Sequence, residues 1–385
     1  MATTKDFFKN KKAWSKYKDE LLCAYFLPYL NKIMSTRIPV VYIDGFAGKG
    51  KFDDGTDGSP LLIKEKIYQA KTISNYNTQV DAFFVEFQYA EQLKKNLADA
   101  TLHVVSGDYR TQVPEILKND YRKNIFLYVD PFGIKYLDFS IFSSLDCRKY
   151  NSVELLLNFN SFGFLREGCR LLKMQMEQID EEYPDFSAET NDTKNDIPNM
   201  NRIANGDYWQ NILFDYRDGK ISIFEAEKLF LKQYMCELRK TFSHVCRIPI
   251  RSTKSQLAKY QMIFATNNKH GILLMADNMI DCNRRMESDL NHGQLCLFDY
   301  DYSLMECQDF ILNELPNELT ELKDFYVHLY KKKGFIYPTK EMNGALKTLE
   351  SEGKVLIERY PAITKTGKPS KSMDFYKNTI KIKRV

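Results

Sequence analysis

The sequence predicts an α/β fold: an open, mostly parallel sheet with helices on both faces, followed by a smaller basic module. Three observations predict it. A β-branched run, Val40-Val41-Tyr42-Ile43, ends in Asp44 and the turn Gly45-Phe46-Ala47-Gly48-Lys49-Gly50, the strand and glycine turn that open a nucleotide-type site. A second apolar run, Ile125 to Val129, ends in Asp130-Pro131-Phe132-Gly133. Residues 331–385 carry a local charge of +9, which leaves −5 on the first 330 and sets a basic module beside a mildly acidic body.

Length and composition bound the rest. At 385 residues the chain can bury a large core and is expected to hold more than one unit. No apolar run reaches membrane-spanning length, and Met1 to Asp6 lacks the apolar stretch of a signal peptide. The eight cysteines are scattered with no C-x-x-C, which argues against a zinc site or a disulfide framework. That pattern fits a reduced, cytoplasmic interior.

In chain order, residues 10–34 read as an amphipathic helix, with Trp14, Tyr17, Leu21, Ala24 and Pro28 at three- and four-residue steps. Pro28 is expected to bend or shorten it. Val40 to Ile43 suits a strand buried on both faces, and the glycines after it admit positive φ and close approach of a ligand. The turn is not a Walker loop, which needs G-x-x-x-x-G-K-[ST]. Nor is it a dinucleotide fingerprint, because Asp53 stands where the third glycine belongs. An acidic loop, Asp53 to Pro60, leads into a helix from Leu61 to Lys71. The next strand, Val80 to Val85, ends in Glu86, whose carboxylate is placed to accept two hydrogen bonds from a ribose diol. A helix from Ala90 to Asp99 precedes a third strand, Leu102 to Val105, on which His103 reads as a half-buried position. Ser106-Gly107-Asp108-Tyr109 follows, where Asp108 is a helix N-cap, an acceptor for an adenine amino group, or both.

Asp130-Pro131-Phe132-Gly133 sets a carboxylate at the carboxyl edge of a buried strand, where ligands bind in open α/β sheets. Taken alone it is also a type I turn with proline second. The fifth strand, Val153 to Asn160, runs out into a polar and aromatic stretch, Asn158 to Phe164, expected to line an acceptor pocket. Residues 165–245 read as an inserted helical subdomain. Tyr260 to Ala265 and Ile272 to Ala276 flank a turn and read as a β-hairpin. Beyond a boundary near Glu314-Leu315-Pro316 come helices at Leu319 to Lys331 and Thr339 to Ser351, with Thr339 as cap and Gly353 as stop. Strands at Val355 to Arg359 and Lys377 to Ile382 then enclose a basic loop, Thr364 to Lys371. That order is a winged helix-turn-helix, whose lysines suit phosphate contacts. The expected division is a helix over 1–35, a main domain over 36–314, and the winged helix over 315–385.

The D-x-F-x-G-x-G form of Asp44 to Gly50 resembles class I S-adenosylmethionine (SAM) methyltransferases, in which the turn passes under the methionine part of the cofactor. An antiparallel hairpin closing the sheet is the usual last step of that topology. In combination, Trp14 to Tyr29, Tyr42 to Gly50, Gly58-Ser59-Pro60, Val129 to Gly133 and the 260–279 stretch resemble the three-Cys-motif partner (TcmP) proteins. Those are methyltransferase-fold proteins with a winged-helix C-terminus. The resemblance implies a Rossmann-like sheet and SAM as cofactor, bound by Asp44, Gly45, Phe46, Ala47, Gly48, Gly50, Glu86, Asp108 and Tyr109. It also implies a separate cysteine-motif protein as partner, and it supplies no substrate. Asp130-Pro131-Phe132-Gly133 further resembles the fourth motif of tRNA guanine N2-dimethyltransferases. More loosely it resembles the D/N-P-P-Y/F of adenine and cytosine amino-methyltransferases, from which it departs at Phe132, leaving the base open.

The implied chemistry needs no metal. An exocyclic amine is a poor nucleophile because its lone pair is delocalised into the ring. Asp130 and the carbonyl of Pro131 would accept its two N–H bonds and favour the pyramidal nitrogen as positive charge develops. Phe132 would stack on a base flipped from its helix. The expected function is N-methylation of an exocyclic amine in RNA or DNA. Two alternatives stand beside it: a catalytically silent SAM-fold scaffold for the partner protein, and a methyltransferase for a small molecule or peptide.

Overall fold

Helix, strand and glycine turn assemble in the order the sequence sets. The computed structural model describes residues 11, 13–174, 195–251, 258, 260–290 and 304–385. It divides into two compact units, Met1–Asn267 and Asn268–Val385. The division falls well before the expected boundary near 314.

In the first unit, α1 (Ala13–Ile33) precedes β1 (Val40–Asp44), α2 (Ser59–Ile73), β2 (Val80–Glu86), α3 (Ala90–Leu97), β3 (His103–Ser106), α4 (Tyr109–Lys118) and β4 (Asn124–Val129). Then come α5 (Phe139–Ser143), β5 (Ser152–Phe159), α6 (Ser161–Leu171), α7 (Ile197–Ala204), α8 (Tyr208–Arg217), α9 (Ile223–Leu238), β6 (His244–Ile250) and β7 (Tyr260–Thr266). The sheet order is β3-β2-β1-β4-β5-β7-β6. Its first five strands are parallel, and β7 is antiparallel to both neighbours. The chain winds outward in both directions from the β1–β4 pair, so the crevice at their carboxyl ends is the switch point where open α/β sheets bind ligands. Every residue of β1 and β4 is buried, as two-faced strands in a parallel sheet require.

One face of the sheet carries an aromatic layer. Tyr25, Phe26 and Tyr29 of α1 pack on Tyr42 and Phe126, and Tyr25 also packs on Phe264. Helix α1 continues past Pro28 to Ile33, so the proline neither ends nor shortens it. Its buried stripe is Leu21, Leu22, Tyr25, Phe26, Tyr29 and Leu30, with Ala24 and Pro28 half-exposed. The side chain of Trp14 lies outside the described residues. The opposite face packs on α4, α5, α6 and α9 through Val113, Phe139, Phe164 and Phe230, all buried. His103 is exposed, not half-buried, because β3 is an edge strand; its ring stacks on Phe83.

Two expectations about the ends of strands are corrected as well. The hairpin partner of β7 is β6, paired from His244↔Thr266 to Ile250↔Tyr260, whereas Ile272 to Ala276 lies within a helix of the second unit. A short apolar run carries no period of its own. Asn268 decides the matter by accepting the amides of His270 and Gly271, at 2.8 and 3.4 Å, and so starts a helix. The run-out of β5 is the second. Of Asn158 to Phe164, the part from Ser161 to Phe164 is buried in α6 instead of lining a pocket, while Asn158 hydrogen-bonds Asp130. In the stretch expected to be an insertion, the described residues are helical up to α9 and then form β6; 175–194 lies outside them.

The second unit comprises α10 (Lys269–Leu290), α11 (Leu304–Leu312), β8 (Thr320–Glu321), α12 (Leu322–Lys333), α13 (Thr339–Ser351), β9 (Val355–Tyr360) and β10 (Thr379–Arg384). The three strands form an antiparallel sheet in the order β8-β10-β9. Pro338, not Thr339, occupies the N-cap of α13. The Thr339 hydroxyl instead donates to the half-buried Asp277 of α10 at 2.6 Å, a carboxylate that needs donors there. Among the described residues no helix is long and apolar enough to cross a membrane.

Candidate functional site

The glycine turn is held open by hydrogen bonds to both neighbouring strands. Gly45 N–H donates to the Tyr128 carbonyl at 2.9 Å, and Ala47 N–H to the Val85 carbonyl at 3.0 Å. Gly48 and Gly50 take φ of 64° and 78°, the left-handed region that side chains disfavour. Gly45 is small for another reason: a Cβ there would lie 2.7 Å from the ring of Tyr109. That ring, the first residue of α4, is buried and stacks on Phe46 at 4.8 Å.

Asp44 sits beneath the turn. Fully buried, it accepts the Phe46 amide at 3.0 Å and the Ser59 hydroxyl at 2.8 Å, tying the turn to the start of α2. Burial pushes its carboxyl up to about 7. It supports the turn from below and does not line the space above it.

Above the turn lies a cleft of about 410 Å³. All the other sequence-predicted residues line it: Gly45, Phe46, Ala47, Gly48, Gly50, Glu86, Asp108, Tyr109, Asp130, Pro131 and Phe132. Glu86 already accepts three backbone amides, from Gly48 at 2.8 Å, Gln88 at 2.8 Å and Tyr89 at 3.1 Å. A carboxylate has about four lone-pair positions, so one remains, and the two-bond grip on a diol is not open to Glu86 as it stands. Asp108 caps α4 through the Arg110 amide at 2.8 Å and also takes the Arg110 guanidinium at 3.0 and 2.7 Å. Hydrogen bonding to Arg110 holds its carboxyl below the usual range. The N-cap reading is therefore realised, with one lone pair left over.

Asp130 is the fullest of the three. Lys18 of α1 donates to both its oxygens, at 2.9 and 2.8 Å. Asn158 Nδ2 donates at 2.6 Å, and the Tyr128 hydroxyl at 3.3 Å. The Lys18 ammonium also lies 4.9 Å from the ring centre of Tyr260. Beside it Asp19 pairs with Lys11 at 2.6 Å, and burial raises the Asp19 carboxyl. Sequence reasoning missed Lys18, Asp19 and Tyr260, which line the same cleft. Their sequence signal was weak: a lysine on a helix reads as a solvated face until the helix is placed on the sheet. Phe132 stands at the rim, 48% exposed.

No family model and no curated protein matches the chain. Solved structures to which it is similar include a spermidine synthase in complex with the transition-state analogue AdoDATO (10% identity, TM-score 0.30). A spermidine synthase from Thermotoga maritima is similar at 10% identity and a TM-score of 0.29. Each match covers 69% of this chain and less than two thirds of the other, 65% and 66%. The plantazolicin methyltransferase BpumL in complex with SAH is similar at 11% identity and a TM-score of 0.28, covering 66% of this chain and 86% of that one. Likenesses this distant transfer no function.

Proposed function

We propose that this protein is a SAM-dependent methyltransferase of the TcmP type, and that SAM occupies the cleft above the Gly45–Gly50 turn. The observation that carries this reading is the convergence on one cleft of every sequence-predicted site residue except Asp44, whose place is directly beneath it. The five parallel strands closed by the β6–β7 hairpin agree with the topology that the resemblance implied. The residues fit the cofactor: positive-φ glycines leave the turn bare for the methionine part, and Glu86 and Asp108 each keep one acceptor position at the strand ends. When bound, SAM supplies a sulfonium methyl. The chain contributes position, an effect worth up to roughly 7–11 kcal/mol when reacting atoms are held in line.

The acceptor is an amine nitrogen received by Asp130, once Lys18 gives way, and by the Pro131 carbonyl, with Phe132 available to stack on a planar group. An exocyclic amine of RNA or DNA fits that rim. The second unit supplies a phosphate-binding element: its last helix and three-stranded sheet make a winged helix, whose loop carries exposed Lys365, Lys368 and Lys371. Calorimetry with SAM tests the cofactor, and labelled SAM incubated with total RNA, DNA and cell extract tests the acceptor. Asp130→Ala is expected to abolish transfer while SAM still binds; undiminished turnover refutes the role. A second reading is favoured by the saturated state of Asp130. In a scaffold that binds SAM and transfers nothing, the Lys18–Asp130 pair is a permanent strut for a partner cysteine-motif protein. SAM affinity without any labelled product selects that reading.

A further inference from the structure

Asp130 has no lone pair left for an incoming amine. Its roughly four acceptor positions are filled by Lys18 twice, Asn158 and Tyr128. The group that fills two of them is itself an amine. Lys18 Nζ lies between the carboxylate and the face of Tyr260, a carboxylate plus an aromatic face being how proteins commonly hold an ammonium. The corner is also incompletely satisfied, since Asn158 Oδ1 is buried with no hydrogen-bond partner among the described residues. Only 6% of the Lys18 side chain is exposed, and it shares the cleft with the glycine turn. Parallel pairing sets Asp44 beside Tyr128, so Asp130 stands one step above the start of the turn.

Building on the methyltransferase reading, we infer that the Asp130–Asn158–Tyr260 corner is an amine subsite that Lys18 occupies, and that Lys18 is itself a methyl acceptor of this cleft. The donor is a sulfonium compound of the SAM class. The Lys18 ammonium first gives up one proton. Its freed lone pair then forms the N–C bond as the methyl–sulfur bond breaks, the electron pair stays on sulfur as a neutral thioether, and the proton leaves to solvent. Burial shields Nζ from a second enzyme, so the modification is intramolecular. Each methyl removes one N–H, and a trimethylated Lys18 has none left to give Asp130. Self-modification thereby loosens the plug and frees the carboxylate for another amine.

Two arms test this. In the first, wild-type protein shown by calorimetry to bind SAM is incubated with labelled SAM and digested for mass spectrometry. The label is expected on Lys18, at a rate per molecule independent of protein concentration, and absent from Lys18→Arg. In the second, without cofactor, Lys18→Ala is titrated with n-propylammonium, which replaces the atoms removed. At least tenfold tighter binding than to wild type is expected, and the gain disappears in Lys18→Ala/Asp130→Asn. Circular dichroism confirms that each variant is folded, and Lys18→Met serves as the cavity-free control. SAM binding with Lys18 unlabelled, or propylammonium bound no better by Lys18→Ala, overturns the inference while leaving the cofactor reading intact. Absence of SAM binding by the wild type removes the cofactor reading itself.

Discussion

Gly45→Ala isolates one contact on which the cleft depends. The glycine does not adopt a left-handed φ, so alanine meets no backbone strain and gains about 0.4–1 kcal/mol from a stiffer unfolded chain. Against that, its Cβ would lie 2.7 and 2.8 Å from two carbons of the Tyr109 ring. Ordinary carbon contacts are about 3.5–4.0 Å, so the ring must retreat by roughly an ångström. It cannot do so alone, because Tyr109 is 2% exposed and stacked on Phe46. Overpacking of this kind costs about 1–3 kcal/mol; taking about 2 as its centre and an unfolded-chain gain of about 0.7 against it leaves a net loss of about 1.3 kcal/mol. Because Phe46 lines the cleft, affinity for SAM, the proposed cofactor, is expected to fall as well, by about tenfold if a similar strain is carried into binding. Urea denaturation reads the first number and calorimetry the second. A variant within about 0.5 kcal/mol of wild type, the range of an ordinary surface change, with unchanged SAM affinity, refutes the close-approach argument.

Two further predictions concern charge. Burial raises the Asp44 carboxyl from 3.8 to about 7, so between those values the folded state holds a proton that the unfolded chain has lost. Stability contributed by the protonated form is therefore full below pH 4 and is lost as pH rises through 7, by about 4 kcal/mol in total at 1.36 kcal/mol per unit. Asp44→Asn has no such proton, and wild type is expected to lose about 2–3 kcal/mol more than the variant between pH 5 and 8; parallel denaturation profiles count against it. If the second unit binds a duplex as proposed, replacing Lys365, Lys368 and Lys371 by alanine is expected to weaken that binding and to lower the log-affinity against log-salt slope by about 2–3, at roughly 0.9 per phosphate contact. Fluorescence anisotropy at several salt concentrations measures it, and an unchanged slope removes this loop from the interface.

The sequence determined the first and fourth strands, the turn between Asp44 and Gly50, and the acidic residues at the strand ends. Their signals are local: β-branched runs, glycines at fixed steps, and a carboxylate where each run stops. It was misled at Ile272 to Ala276, where a five-residue apolar run fits strand and helix equally until Asn268 caps it. The boundary was expected near Glu314-Leu315-Pro316, whereas the division into compact units falls between Asn267 and Asn268. Occupancy of the site was decided by tertiary structure alone. Lys18 lies 112 residues from Asp130 in the chain and meets it because the aromatic face of α1 seats on Tyr42 and Phe126. The lone pairs of Glu86 and Asp108 were likewise allotted by strand ends and a helix start brought together in space. A motif names the groups at a site, but which of their hydrogen bonds are already taken depends on packing partners that no local pattern encodes.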